Sequence, residues 1–411
     1  MASEWVIRPL EDCMAALIDY RGKTPHKTSF GIPLITAKVV KGGRIETPDE
    51  FISVDDYEPW MRRGIPKVGD VVITTEAPLG EVAQLGTERV ALAQRLIALR
   101  GKPGILDNGF LKFLMQSEDI QDQLRARASG TTVLGIKQSE LRKVSLTLPP
   151  IAEQRAIAHI LGTLDDKIDL NRRMNETLEA MARALFKSWF VDFDPVRAKS
   201  EGRDPGLPKP IADLFPSHLV NSELGKIPEG WEVCKWGDLA TLEYGKSLRA
   251  YNNPNGPYIV FGTNGPIGTT TLPLCQHPTV VIGRKGAYRG VHYTDYPCFV
   301  IDTAFFLEPI REFEMRWVYY HLLAADINAM DSGSAIPSTS REDFYALPIL
   351  YAPPETQRRF TELLEPVWSK QSKNHTQSHT LAAMRDALLP KLISGKIRIL
   401  EFGKRFNHGK P

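Results

Sequence analysis

Residues 283–290, GRKGAYRG, place Arg284, Lys285 and Arg289 around Tyr288 between glycines, just after an apolar run. Guanidinium forks suit phosphates and guanine edges, an ammonium adds a point charge, and an aromatic ring adds a flat contact surface. That is nucleic-acid chemistry, although a solvated charged turn has the same composition. Gln94 and Arg95, in ALAQRLIAL, are of the types that read adenine and guanine edges; they equally suit a strand end. Two short runs, GKT with Lys23 and Thr24, and GKS with Lys246 and Ser247, look like the ends of phosphate loops. A phosphate loop needs a second glycine five residues earlier, and those positions hold Leu17 and Ala240. Both runs read as turns or as simple phosphate-contacting loops.

Signatures of catalysis do not complete themselves. NNPNGPY at 252–258 lacks the adjacent Pro-Pro-aromatic run of an amino-methyltransferase, and FGTNG at 261–265 has Thr263 where a cofactor loop needs glycine. There is no HExxH, no GxSxG and no Glu-x-Lys pair. His375 and His379 are four apart on a helix, but no acid or third ligand is placed beside them, so no metal is expected. The chain is therefore expected to bind, not to catalyse.

What must position these residues is a repeat. Residues 154–189 overlay 357–392 without a gap at a shift of 203, with eleven of 36 positions identical, Asn171/Asn374 and Leu178/Leu381 among them. Average composition would give about two or three. The similarity continues upstream through 129–150 against 332–354, and RGKT matches YGKS. Each half reads as a turn-rich β domain, a Pro-Pro stop, then a long helix. Apolar runs such as DVVIT at 70–74 and TVVIG at 279–283 carry the strand assignment.

Steps of four and three along the first helix pick out Ile157, Leu161, Leu164, Ile168, Asn171, Asn175, Leu178, Ala182, Leu185 and Trp189. The second helix gives Phe360, Leu364, Val367, Gln371, Asn374, Ser378, Leu381, Arg385, Leu388 and Leu392. Both are heptad seams with polar residues at their middles. An antiparallel pairing sets Asn171 against Ser378 and Asn175 against Asn374; a parallel pairing also matches polar with polar, so the seam leaves direction open. An amphipathic helix buried within one domain is the plainer alternative. Pro366, and Gly162 near the equivalent place, predict that the continuous rods begin only near Thr163 and Pro366. Rods of 28 to 40 residues would span roughly 40 to 60 Å. The proline-rich stretch 192–229 is expected to be a connector without continuous helix or sheet.

Composition bounds the rest. The 411 residues allow two or three domains, and 51 Lys and Arg against 49 Asp and Glu leave a net charge of +2. That excludes a grossly basic sleeve but not a local basic face. Four scattered cysteines without a CxxC argue against a disulfide framework and for a cytoplasmic location. No run approaches the 18 or so apolar residues of a membrane span.

Residues 148–196 (LPPIAEQRAIAHILGTLDDKIDLNRRMNETLEAMARALFKSWFVDFDPV), 222–232 (SELGKIPEGWE) and 388–397 (LLPKLISGKI) together resemble the specificity (S) subunit of type I restriction–modification systems. The resemblance implies an α+β chain with two pseudo-symmetric β-rich target-recognition domains, 1–150 and 230–354. Two long antiparallel, coiled-coil-like helices, 151–191 and 355–395, would separate them, with a connector at 192–229 and a basic tail at 396–411. It further implies double-stranded DNA as ligand, read as an asymmetric bipartite site. Two methyltransferase (M) subunits that carry S-adenosylmethionine would dock on the chain, and motor-nuclease (R) subunits would join through them. No cofactor would sit in this chain. Rival readings are a free-standing adenine-N6 methyltransferase, which needs the loops missing above, and a coiled-coil adaptor with no role on DNA.

Overall fold

The computed structural model describes residues 5–399 except 21–23, 88, 287, 326 and 331–336. Its chain divides into two compact units, residues up to 172 with those from 375 onward, and residues 173–374.

In the first unit a four-stranded antiparallel sheet runs in the order Met14–Asp19, Leu96–Gly101, Val71–Thr75, Leu79–Gln84. Beside it, Ile32–Ile35 pairs antiparallel with Phe51–Ile52 and parallel with Ala91–Leu92. Val6–Pro9 closes the domain against Ser145–Leu148. The second unit repeats this topology strand for strand. Its four-stranded sheet runs Ala240–Tyr244, Ala304–Pro309, Thr279–Gly283, Val291–Thr294. Tyr258–Gly262 pairs antiparallel with Gly265–Thr270 and parallel with Cys298–Val300, and Glu232–Lys235 pairs with Pro348–Tyr351. The apolar runs singled out from sequence become the central strands Val71–Thr75 and Thr279–Gly283, in which every residue is buried. Strands covered on both faces carry continuous rather than alternating apolar residues.

Each unit also contains parts of both long helices, the central helix Ile151–Phe190 and the C-terminal helix Pro354–Ile393. In the first unit Ile157 and Leu161 share an apolar core with Leu388, Leu389, Leu392 and Ile393. In the second, Phe186, Trp189 and Phe190 share one with Phe360, Leu364 and Trp368. The start of one helix thus meets the end of the other: the pairing is antiparallel. The polar seam residues meet as the antiparallel register requires. Asn374 Nδ2 donates to Asn175 Oδ1 at 2.8 Å, and Asn171 Nδ2 donates to Gln377 Oε1 at 2.9 Å and to Ser378 Oγ at 3.3 Å. Leu164, Ile168, Leu178, Leu185, Leu381 and Leu388 are half-buried along the same seam.

One expectation needs correction. The C-terminal helix does not restart at Pro366: it is continuous from Pro354, as the central helix is through Gly162. Proline removes one helical hydrogen bond, but Pro366 and Glu362, whose carbonyl loses its donor, are both exposed, so water replaces the bond. Burial of Leu364 and Trp368 holds the turn in place. The stretch 192–229 carries no continuous helix or sheet but is folded in short pieces. It forms a helix at Asp194–Ser200 with proline in its first turn, where no amide hydrogen is needed, and a hairpin of Leu219–Ser222 with Gly225–Pro228. Phe193, Val196, Phe215 and Ile227 join the core of the second unit.

The repeat is clearest in two buried glutamines at the helix starts. Gln154 Nε2 donates to the carbonyls of Ile105 and Pro149 at 2.9 and 2.8 Å, and its Oε1 accepts from the Asp107 amide at 2.9 Å. Gln357 does the same in the second half, donating to Ala352 at 2.7 Å and accepting from Glu314 at 3.0 Å. Each side chain latches a long helix to a loop of its own domain. Gln357→Ala leaves a buried amide and a buried carbonyl without a partner, so unfolding free energy should fall by about 1–3 kcal/mol in a denaturant titration. An unchanged midpoint would remove the latch role.

The second core also holds a titrating group. The His321 ring lies edge-on to Phe186 and Trp317, with centroids 4.8 and 4.3 Å away, and its Nε2 is buried without a hydrogen-bond partner. Desolvation pushes it from 6.5 to about 3. The folded state therefore keeps the neutral ring while the unfolded chain takes up a proton. The stability this gives is complete above pH 6.5 and is lost as pH falls toward 3. His321→Phe should flatten the fall in melting temperature between pH 7 and 4; an unaltered profile would assign the acid sensitivity elsewhere.

Candidate nucleic-acid interface

The second unit gathers most of the basic candidates around one turn. The loop after Ala240–Tyr244 and the loop after Thr279–Gly283 are far apart in sequence, yet both bond to residues 300–304. Gly245 N and Lys246 N donate to the carbonyls of Ala304 and Val300 at 3.1 and 2.9 Å, and Arg284 N donates to Thr303 at 2.9 Å. Gly245 is required there, because a Cβ would lie 2.0 Å from the Ile301 carbonyl oxygen. Lys246, Ser247 and Lys285 are exposed, and Tyr288 is 79% exposed. The Arg284 guanidinium donates to the Asp302 carbonyl at 3.0 Å and stacks 4.8 Å over the Tyr244 ring. Arg341 lies 5.0 Å over the same ring and donates to the Tyr345 hydroxyl at 2.8 Å. Sequence reasoning missed Tyr244 and Arg341, since only the fold brings residue 341 to the GKS loop. Stacking on a ring fixes each guanidinium plane while leaving charge directed outward.

Arg289 is different from its neighbours. It is 4% exposed, and its NH2 group donates to the carbonyls of Ile327, Asn328 and Met330 at 3.2, 2.8 and 3.0 Å. Within GRKGAYRG it braces the loop from inside while Arg284, Lys285 and Tyr288 face out.

In the first unit Thr24, Gln94 and Arg95 line one cleft of about 200 Å³ with Lys27, Lys38 and Ala77. Lys23 lies outside the described residues. Every cation named here has an acid: Arg95 Nε lies 3.0 Å from Glu76, Lys27 lies 2.9 Å from Glu50, and Lys38 lies 2.8 Å from Asp49. The Lys38 hydrogen bond holds the Asp49 carboxyl below its ordinary value. A larger cleft, about 520 Å³, is lined by Asp165, Asp166 and Asp169, and both Lys112 and Arg385 are engaged by Asp165. With Glu46 on the acidic side and Arg44 and Arg172 on the basic side, its lining charges balance, so it offers a phosphate no net positive charge. Of the basic tail, Arg398 is already bidentate on the buried Glu153 at 2.7 and 2.8 Å.

The family model for the type I restriction modification DNA specificity domain matches residues 3–180 and again 228–380. The chain belongs to the family of type I restriction–modification specificity subunits. It is 25% identical over 428 aligned positions to the type I restriction enzyme MjaIX specificity subunit of Methanocaldococcus jannaschii, covering 97% of this chain and 94% of that one. It is 24% identical to the HindI specificity subunit of Haemophilus influenzae, covering 85% and 90%. The crystal structure of the S subunit from M. genitalium shares the fold, with a TM-score of 0.57 at 17% identity, over 94% of this chain and 96% of that one. This specificity subunit is the non-catalytic DNA-specificity component of its restriction–modification system. Among the described residues no helix is long and apolar enough to cross a membrane.

If the exposed loop cations touch phosphates, the double variant Arg284→Ala, Lys285→Ala should reduce the slope of log affinity against log salt by about 1–2, measured on duplex DNA with the partner subunits present. An unchanged slope would remove these two side chains from the interface.

Proposed function

We propose that the chain reads an asymmetric two-part DNA site, one part with each domain, and positions two methyltransferase subunits on it. One observation carries this reading: two domains of the same strand topology present unlike loops at the same topological place. The turn between Val71–Thr75 and Leu79–Gln84 contains Glu76, whereas the turn between Thr279–Gly283 and Val291–Thr294 contains Arg284, Lys285 and Tyr288. Equivalent frames with different contact chemistry read different bases.

In the second domain Lys246, Ser247 and Lys285 take phosphate contacts. Arg284, Arg341 and Tyr288 supply the planar groups that base edges require. In the first, Gln94 suits adenine and Arg95 suits guanine once DNA draws it from Glu76, while Lys23 and Thr24 lie on the backbone. The paired helices fix the unread stretch between the two half-sites. S-adenosylmethionine and the methyl transfer to adenine belong to the methyltransferase subunits, and motor-nuclease subunits join through them.

The test is exchange of the first domain. Residues 1–150 are replaced by those of a relative, the hybrid is co-expressed with its methyltransferase subunit, and modified adenines are mapped across a genome. One half-site should change while the other half and the gap stay as they were. Change in both halves, or in neither, overturns the reading.

A further inference from the structure

The second domain brings together a set of donors that its DNA-contact loops do not use. Cys275 lies in the loop 271–278, His277 two residues on, and Glu308 on the strand Ala304–Pro309. One ligand atom from each lies within 4.8 Å of the others. No sequence motif announces the set, because Glu308 is 31 residues from His277.

The hydrogen bonding of His277 defines what the cluster lacks. Its Nδ1 lies 2.9 Å from the Pro278 carbonyl, which accepts only, so Nδ1 carries the proton. Nε2 then faces the Glu308 carboxylate at 2.8 Å, and Cys275 Sγ lies beside the ring, 3.6 Å from Nε2 and 3.8 Å from Nδ1. Lone pair against carboxylate is repulsive unless a positive charge stands between them. A second proton on the ring supplies one such charge and a metal ion the other. Bonds of about 2.3 Å to thiolate and 2.0 Å to imidazole at a tetrahedral angle put the two atoms about 3.5 Å apart, so Cys275 Sγ already stands at the right separation and reaches an ion by swinging from beside the ring toward Nε2. A backbone carbonyl on Nδ1 is also the usual orienting partner of a metal-bound histidine. The Nε2–carboxylate distance must open by about half an ångström for a tetrahedral ion, and Glu308, 37% exposed, has room to move.

A second sulfur stands behind the first. Cys275 and Cys298 exchange both backbone hydrogen bonds at 2.9 Å, and the Cys298 side chain is within hydrogen-bonding reach of Cys275. Both residues are buried in a small apolar cluster with Phe261, Val300 and Phe306. A thiolate, an imidazole and a carboxylate, with a further thiol adjacent, are the donors of a borderline-soft, zinc-class cation, not of calcium or magnesium.

We propose that Cys275, His277 and Glu308 bind one zinc-class divalent ion, which ties the loop 271–278 to the strand Ala304–Pro309. Binding displaces the thiol proton to solvent and leaves the oxidation state of metal and sulfur unchanged. Water or the Cys298 thiol completes the coordination. The site is structural and is independent of how DNA is read.

The experiment uses the untagged full chain, purified under reducing conditions. His375 and His379 are changed to Gln beforehand, because their Nε2 atoms lie 3.1 Å apart on an exposed helix face and would hold adventitious metal. About one zinc per chain is expected by elemental analysis. Cobalt(II) substitution should give a thiolate charge-transfer band. Cys275→Ser and His277→Asn should each weaken zinc binding by at least about tenfold. Glu308→Gln should weaken it less while retaining the native circular dichroism. Should the first two variants fail to fold, the parent protein decides: a chelator must lower its melting temperature and added zinc must restore it. Parent protein that neither carries nor takes up zinc, or variants that keep it, would leave His277 and Glu308 as a simple ion pair and overturn the proposal.

Discussion

An amide buried in an apolar helix seam must find another polar group, and this requirement orders the long helices. Asn374 meets Asn175, and Asn171 meets Gln377 and Ser378, only when the helices run antiparallel and in one register. Leucine at those positions would pack in several registers; asparagine penalises all but one. Gln154 and Gln357 extend the same logic to the helix starts, where each side chain satisfies a buried carbonyl and a buried amide of its own domain. Polar atoms in the seam thus specify an arrangement that apolar contacts stabilise without defining.

The sheets of the two units share one topology, and their central strands are buried throughout. At one equivalent turn the chemistry differs, Glu76 in the first unit against Arg284 and Lys285 in the second. In the second unit's turns the parts divide: Gly245 permits close approach to Ile301, Arg289 braces from inside, and Arg284, Lys285 and Tyr288 face outward. In the first domain the cleft cations Lys27, Lys38 and Arg95 are held by acids, so a polyanion must compete for them.

The duplication, the heptad seam with its polar centre and the apolar central strands were all legible in the sequence, because period and repeat are properties of residue order. The seam alone left helix direction open, and the resemblance to the family supplied it. One local reading failed. Pro366 was read as the point where the helix restarts, yet it is exposed, where its missing amide costs little, and burial of Leu364 and Trp368 does the rest. Local propensity is a small energy beside the burial of large side chains.

The candidate interface was legible in types but not in arrangement. Gly-flanked cations and a tyrosine pointed to phosphate and base contact, and the fold then sorted them. It joined Lys246 to Arg284 through the turn at 300–304, added Tyr244 and Arg341 to them, and turned Arg289 inward. It also assembled Cys275, His277 and Glu308 into a cluster for which the sequence gives no motif. Residue order by itself determined the repeat, the periodicities and the family. Which side chains face each other, and which face solvent, was decided only when strands distant in sequence paired, because hydrogen bonds and coordination depend on positions in space that spacing along the chain does not encode.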